Sequence, residues 1–144
     1  MKKQITILIM LLLLISGCSK EKTLNCTLED KEQTQEVIAK YKDDKLTSLS
    51  ETFIAKIDKD YIDTVFDSDK EYEKIFKNID GIDLKVTKDK TTVKTTMNID
   101  FTKVNAKKIK EQIGENFDAS EIIKLKNTDI KTFKKKYLKG YTCK

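Results

Sequence analysis

The 144-residue sequence contains no histidine, no proline and no tryptophan. Histidine is the side chain best suited to general acid–base catalysis near neutral pH, and it is the commonest transition-metal ligand. Without it the serines have no histidine base to activate them, and no stretch combines a nucleophile, a base and a stabilising donor. We therefore predict a protein that is not an enzyme and that binds no cofactor and no metal.

The sequence also lacks a complete calcium-binding loop. The acidic stretch 67–71 has carboxylates at alternate positions, as such a loop begins, but the loop needs glycine at its sixth position and glutamate at its twelfth. Tyr72 and Asn78 occupy those positions. We interpret the stretch as a solvated helix start, where the helix dipole favours carboxylates.

The N-terminal apolar run, Ile5 through Leu14, is too short for a transmembrane helix, because a bilayer span needs about 20 residues. It follows Lys2 and Lys3 and is closed by Ser16-Gly17-Cys18. A basic start, an apolar centre and a small-residue cleavage site are typical of a secretory signal peptide. A cysteine directly after Ser-Gly resembles the lipobox of bacterial lipoproteins, and this resemblance implies that Cys18 is acylated, for example with palmitate, and becomes the mature N-terminus. The alternatives are a transmembrane helix and a secreted protein with an incidental cysteine.

This interpretation predicts the domain organisation and the location. Residues 1–17 are the signal peptide, residues 18–23 a lipidated tether, and residues 24–144 a single domain on the extracytoplasmic face of a cell membrane. Of 29 basic and 24 acidic residues, removal of Lys2 and Lys3 leaves 27 basic and 24 acidic, a formal charge of +3. So small a charge does not by itself indicate nucleic acid, and we predict no nucleic-acid partner outside the cytoplasm. Whether the membrane is the outer or the cytoplasmic one stays open.

Two further cysteines, Cys26 and Cys143, lie near opposite ends of the mature chain. An oxidising compartment permits a disulfide between them. It would close nearly the whole domain into a ring. In the chain-entropy model, closing a loop of about 100 residues raises the free energy of unfolding by roughly 4–5 kcal/mol. We predict the disulfide, which requires the two terminal segments to lie side by side. The alternative is two separate thiols, with Cys143 in a frayed tail.

Alternating apolar and polar residues predict β-strands with turn signals between them. The strands are expected at 24–28, 37–41, 49–57, 82–86 and 93–101. Turns are expected at 42–45 and 88–90.

Apolar residues three and four apart predict helices elsewhere. Ser68 and Glu71 match a capping box, which allows the longest helix to restart there, and Gly81 is its expected C-terminal stop. Shorter helices are expected at 106–113 and 118–124, and a last one between a Thr128 cap and Gly140. The predicted fold is α+β, an antiparallel sheet of about five strands with helices packed on one face. The apolar face of the longest helix consists of Ile62, Val65, Phe66, Tyr72, Ile75, Phe76 and Ile79.

Four stretches of the chain carry a family resemblance. They are the hairpin 41–46 with Ser50-Glu51-Thr52, the segment 77–82, the strand 93–104 and the closing 138–141. In this order they resemble the YehR-like family of small bacterial lipoproteins. The resemblance implies an α+β fold and a membrane anchor. It implies no mechanism, because the family has no settled biochemical function.

Lysines crowd the last predicted helix, at Lys131, Lys134, Lys135, Lys136 and Lys139. With Lys107, Lys108 and Lys110 they could form a basic face that attracts anionic lipid headgroups or wall polymer, at roughly 1 kcal/mol per lysine near a membrane. The alternative is an ordinary solvated helix face. The five tyrosines at positions 41, 61, 72, 137 and 141 are interpreted as core or core-rim residues.

These observations predict a membrane-anchored extracytoplasmic lipoprotein that acts as a non-enzymatic binding module of the cell envelope. Its partner would be an envelope protein or an anionic polymer. The alternative is a carrier of a small apolar or lipid-like ligand held between sheet and helices, although so small a chain can spare little core volume. A deep apolar pocket would favour the carrier, whereas a flat exposed patch beside the lysines would favour the partner.

Overall fold

A six-stranded antiparallel sheet forms one layer of the protein, and helices cover one of its faces. The computed structural model describes residues 20–113 and 120–144. The strand order across the sheet is β4-β5-β3-β2-β1-β6. The strands are β1 Lys22–Glu29, β2 Gln33–Lys42, β3 Lys45–Lys56, β4 Ile82–Lys88, β5 Thr92–Asp100 and β6 Thr142–Cys143. The helices in these ranges are α1 Ile62–Phe76, α2 Ala106–Ile113, α3 Ser120–Lys126 and α4 Ile130–Tyr137.

The expected α+β class and antiparallel sheet are confirmed. The five expected strands are all present, and the sixth is the two-residue β6, which pairs Cys143 with Cys26 at the edge of the sheet. A two-residue strand carries too little alternation to be visible in a sequence. The predicted turn at 42–45 is the β2–β3 hairpin, in which Asp43 and Asp44 have φ of 51° and 62°. Positive φ at both central residues is what a type I′ hairpin turn requires.

The core lies between the sheet and the helices because the apolar side chains of each strand point to the same face. Leu49 of β3 pairs with Ala39 of β2 and Ile99 of β5, and all three are buried. Phe133 of α4 and Ile109 of α2 belong to the same buried cluster. A second, smaller cluster of Ile62, Val86 and Val93 lies under the first half of α1.

Helix α1 differs from its prediction in two ways. It runs without a break through Ser68, and it ends at Phe76, five residues before Gly81. Gly81 instead has φ +83° in the turn that leads into β4.

The apolar face predicted for α1 is also partly wrong. Tyr72 and Ile75 are exposed at 55% and 46%. The residues on the inner side of the middle of the helix are Asp69 and Glu73, which bond to the sheet. Thr95 Oγ1 donates to Asp69 at 2.7 Å, and the backbone N–H of Val86 on the edge strand β4 donates to Glu73 at 2.7 Å. Hydrogen bonds therefore attach the middle of α1 to the sheet, where apolar contacts were expected.

The cap of the last helix lies one residue later than predicted. Asp129, not Thr128, caps α4 by accepting the backbone N–H of Thr132 at 2.9 Å. Hydrogen bonds from the N–H groups of Thr132 and Lys131 and from the Thr132 hydroxyl lower the pKa of the Asp129 carboxyl. The Thr128 hydroxyl donates back to the carbonyl of Lys124 instead, at 2.6 Å. In the described part of the chain, the helices all fall short of the length and apolar character needed to cross a membrane.

Candidate functional site

The described helices leave the middle of the sheet partly uncovered. Phe53 of β3 lies on the same face as buried Leu49, yet it is 40% exposed. Thr95 and Met97 of β5 are only half-buried, although Val93 and Ile99 on either side of them are buried. Helix α1 covers β4 and β5 on one side of this opening, and the C-terminal segment approaches from β1 on the other side. The opening is a groove on the helix side of the sheet, which we call the sheet cleft.

The sheet cleft consists of two adjoining hollows of about 370 and 400 Å³. They share Leu84, Thr95 and Met97 on the floor. One hollow continues over β2 and β3 to the C-terminal segment, and the other runs under α1 to α3. The first hollow is also lined by Gln35, Glu51, Phe53 and Tyr141, and the second by Asp69, Tyr72, Phe76 and Glu121.

Glu51 is the charged group at the centre of the floor. It sits opposite Val37 on β2 and Met97 on β5, both of which line the cleft. The Glu51 side chain is exposed, yet the protein atoms on the cleft side of its carboxyl desolvate it enough to raise its pKa. Among the described residues, the Glu51 carboxylate has no hydrogen-bond or ion-pair partner. An apolar floor therefore carries one uncompensated acid.

Tyr141 forms the C-terminal wall of the cleft. Its hydroxyl donates a short hydrogen bond to Oε1 of Gln35 on β2. Burial raises the pKa of the Tyr141 hydroxyl, and the negative charge of nearby Glu51 raises it further. The hydroxyl therefore stays a neutral donor at physiological pH, and it ties the C-terminal segment to the sheet.

The opposite wall is formed by α1. The bond from Thr95 to Asp69 joins this wall to the floor, at the seam between the two apolar clusters. Tyr72, one turn further along α1, lies at the mouth of the cleft with more than half of its surface in solvent. The walls thus offer aromatic surface above an apolar floor.

Charge is distributed unevenly between the cleft and the rest of the molecule. Among the described residues that line the cleft, every charged one is acidic: Glu36, Glu51, Asp69 and Glu121. The whole chain has 29 basic and 24 acidic residues. Such a site can hold an apolar group and can favour a positive charge beside it.

The structure does not bring the sequence-predicted residues to this cleft. Cys18 and the signal peptide 1–17 lie outside the described residues. Cys26 and Cys143 form a disulfide with an S–S distance of 2.03 Å, at the sheet edge beside β1. This geometry fits the predicted pairing and the predicted proximity of the two termini.

The predicted lysines lie on two helices, all of them exposed. Lys131, Lys134, Lys135 and Lys136 are on α4 and Lys139 follows it, whereas Lys107, Lys108 and Lys110 are on α2. None of the five lysines on or after α4 forms an ion pair with another described residue. They form a solvated basic surface, separate from the residues that line the cleft.

Two other predictions about side chains have clear outcomes. The acidic stretch 67–71 lies in the middle of α1, so the interpretation of this stretch as a solvated helix start was wrong. Tyr41, Tyr137 and Tyr141 are half-buried, as expected for core-rim residues. Tyr61 and Tyr72 are exposed at 65% and 55%, so that interpretation was wrong for both. Tyr61 is exposed because it precedes α1, and Tyr72 is exposed because it lies on the flank of α1 that borders the open cleft.

The central residue of the cleft, Glu51, was missed from the sequence although it left a signal there. It stands between Leu49 and Phe53, at the position of β3 where alternation demands an apolar residue. A charge at an inward position of a strand indicates either a satisfied buried group or an opening in the layer above it. Asp69 left no comparable signal, because an acidic residue on a helix normally lies on the solvent side.

Two solved structures share this architecture. The NMR structure of the YehR protein of E. coli is 19% identical in sequence, with a TM-score of 0.62 over 88% of this chain and 92% of that chain. The NMR structure of a protein from Streptococcus pneumoniae TIGR4 is also 19% identical, with a TM-score of 0.60 over 90% of this chain and 88% of that chain. No protein-family model matches the sequence, and a search of curated proteins finds no match. The YehR-like fold is therefore confirmed, while acylation remains a prediction.

Proposed function

We propose that the protein is a membrane-anchored extracytoplasmic lipoprotein, held through Cys18, that acts as a non-enzymatic binding module of the cell envelope, and that the sheet cleft is its binding site. The observation that carries the proposal is the apolar floor that the helix layer leaves open. Ligand sites are typically concave, about 300–1,000 Å³ in volume and mostly apolar, with a few polar groups that orient the ligand. Each hollow of the cleft lies within that range.

The position of the tether supports this proposal. Lys22, four residues after Cys18, pairs with Tyr41 beside the hairpin turn. The cleft residues Gln35 and Phe53 face each other in the opposite half of β2 and β3. Six residues of strand separate Gln35 from Tyr41, which is about 20 Å. A domain held by Cys18 would therefore carry the cleft away from its anchored end.

The proposal is tested by photo-crosslinking in cells. A photoreactive residue replaces Tyr72 at the mouth of the cleft, and in a matched variant it replaces Ile38, which is exposed on the opposite face of the sheet. We expect a specific adduct in the membrane fraction from position 72 that position 38 does not give. Equal adducts from both positions, or none from position 72, would contradict the cleft as the binding site.

The basic surface of α4 supports an anionic partner as a second contact. The helix starts beside the hairpin turn, where the N–H of Ile130 donates to the carbonyl of Asp44 at 2.8 Å. It therefore begins near the tether, and lysines close to an anionic membrane contribute roughly 1 kcal/mol each.

This contact is tested with a chain that begins at Ser19, so that no acyl group contributes. Five lysines are changed to glutamine in each of two variants, and binding to anionic vesicles is measured by co-sedimentation. The first variant changes Lys131, Lys134, Lys135, Lys136 and Lys139. The control changes five exposed lysines elsewhere, Lys31, Lys40, Lys85, Lys90 and Lys94. We expect the first variant to lose salt-sensitive binding and the control to keep most of it; equal losses would show that only net charge matters.

The second candidate function is a carrier of a small apolar ligand, and the apolar lining of the cleft under α1 favours it. Leu84, Met97, Phe76 and Ile122 surround that hollow. Solvent extraction of the purified full chain followed by mass spectrometry separates the two functions. A carrier releases a stoichiometric apolar molecule, whereas a module for a macromolecular partner releases none.

A further inference from the structure

We propose that the occupant of the sheet cleft is a small organic cation, a molecule with an apolar body and one protonated amine, and that Glu51 pairs with the amine. This inference rests on the cleft being a binding site and adds the chemistry of its ligand. It commits to a small molecule because each hollow has the volume of a small-molecule site.

Glu51 is open to an incoming ligand, and no described residue provides it with a positive partner. Asp69 accepts a hydrogen bond from Thr95 at 2.7 Å, and Glu121 pairs with Lys124 at 2.5 Å. The Glu36 side chain alternates to the face opposite Val37. Glu51 is thus the cleft carboxylate that has no described partner, and it can accept a charge-assisted hydrogen bond from a bound ammonium group.

The surfaces near Glu51 suit an organic cation. Phe53 and Met97 flank Glu51 on the floor, Tyr141 stands on the wall of the same hollow, and Tyr72 lines the adjoining hollow. Aromatic faces attract cations through their quadrupole, and the attraction strengthens where water is excluded. A carboxylate among aromatic and apolar side chains therefore selects an apolar cation over both an anion and a neutral molecule of the same shape.

Charge is separated between the cleft and the outside of the molecule. Although the chain has 29 basic residues, the charged side chains on the cleft side are the acids Glu51, Asp69 and Glu121, and the lysines of α2 and α4 lie outside the cleft. The negative cleft raises the local concentration of cations and repels anions. Desolvation by the surrounding protein raises the pKa of Glu51, and a bound ammonium group would offset that cost of ionisation.

The test uses three probes that share a phenyl group on a four-carbon chain and carry a cationic, a neutral and an anionic head group: phenylbutylammonium, phenylbutanol and phenylbutanoate. Each is titrated against the full chain in phosphatidylcholine nanodiscs, with empty nanodiscs as the partition baseline. Glu51→Gln removes the charge and keeps the shape. Asp83→Asn is the matched control, because it removes one charge from the exposed face of β4.

We expect the ammonium probe to bind tightest and the carboxylate probe weakest. Glu51→Gln should weaken the ammonium probe about tenfold, leave the alcohol unchanged and strengthen the carboxylate, since one charge-assisted bond is lost. Asp83→Asn should change none of them. Tyr72→Ala, at an exposed position that does not threaten folding, should weaken the ammonium probe more than the alcohol.

Other results would overturn the inference. Equal binding of all three probes to the cleft, insensitive to Glu51→Gln, would leave a purely apolar site. No binding by any probe, while the crosslink from position 72 persists, would leave a binding module whose ligand is not an organic cation.

Two macromolecular occupants are also distinguished. A dimer seen by sedimentation and abolished by Glu51→Gln would assign the cleft to the lysines of a second copy. Tighter binding of N-acetyl-Leu-Lys-Leu-amide than of the ammonium probe would assign it to a basic peptide. Either result would overturn the small-molecule inference.

Discussion

At the scale of single residues, two glycines have the same backbone conformation in different surroundings. Gly81 has φ +83° and Gly140 has φ +91°. A Cβ added at Gly81 would lie 2.9 Å from both the Asp100 carbonyl oxygen and the Val104 nitrogen. At Gly140 the nearest atom would be Leu28 Cδ1, at 4.0 Å. Alanine substitutions at the two positions therefore distinguish the cost of backbone strain from the cost of steric overlap.

Gly140→Ala is expected to destabilise the fold by about 1–2 kcal/mol, the left-handed strain alone. Gly81→Ala should cost clearly more, because backbone atoms must also move. Urea unfolding of both variants measures the difference. Equal free energies of unfolding would show that the turn before β4 relaxes easily and that the contact with Asp100 is not a constraint.

Glu51 makes stability depend on pH. Burial raises its pKa above the ordinary 4.5, so the folded state holds the Glu51 proton more tightly than the unfolded state does. As pH rises through and above 4.5, the folded carboxyl must ionise in the cleft, and stability falls. Below 4.5 both states are protonated and this effect disappears.

Glu51→Gln is therefore expected to stabilise the protein at pH 7 and to have little effect at pH 3.5. Because solvent reaches the cleft and screens the charge, the gain should not exceed about 1 kcal/mol. Thermal unfolding at the two pH values measures it. A variant less stable than the parent at pH 7 would mean that the ionised carboxylate has a stabilising partner.

At the scale of elements, the short strand β6 depends on a covalent link. Besides its pairing with β1, backbone bonds from Lys144 N to the carbonyl of Asn25 at 2.8 Å, and back at 3.2 Å, hold the C-terminus. The disulfide between Cys26 and Cys143 spans 117 residues of sequence. The C-terminal segment also carries Tyr141, so its attachment to β1 maintains one wall of the sheet cleft.

Reduction of this disulfide is expected to lower stability by about 4 kcal/mol, the loop-closure entropy of so large a ring. The change is measured by denaturant unfolding with and without reductant, and the Cys26→Ala/Cys143→Ala variant should be insensitive to reductant. Alkylation should add two adducts after reduction and none before it. Two reactive thiols in the untreated protein would contradict the pairing.

At the scale of the whole molecule, the start of β1 and the cleft lie towards opposite ends of β2 and β3. The chain enters the sheet at Lys22 beside the hairpin turn, and the cleft opens over the far half of β2 and β3. A diacylated cysteine holds a domain on a membrane durably, because each buried methylene contributes about 0.8 kcal/mol. The proposed binding function depends on this arrangement.

Cys18→Ala is expected to release the domain into the medium or to leave the signal peptide uncleaved. Membrane fractionation with intact-mass analysis distinguishes these products from the acylated parent. Cys143→Ala serves as the control, since it removes a cysteine and should leave anchoring intact. A Cys18→Ala protein that still fractionates as a mature, acylated species would refute the anchor.

Much of the fold was predictable because strand patterns are local. Val93, Met97 and Ile99 show the period of two that any half-buried strand must show, and Lys42 to Lys45 form a turn by their own conformational preferences. The cleft was less predictable. Glu51 interrupts the apolar side of β3, but the sequence does not reveal whether the helix layer above it is closed or open.

The sequence by itself determined the five long strands, the hairpin turns, the side of each strand that faces the helices, and the presence of two cysteines near the ends of the domain. Each of these follows from neighbours within a few residues. The tertiary structure alone decided that Asp69 and Glu73 turn inward, that the C-terminal segment beside β1 forms a strand, and that Phe53 and Glu51 remain open to solvent. These three features depend on which helix lies over which strand. The two segments are far apart in the chain, and the periodicity of side chains within one segment carries no information about its contacts with the other.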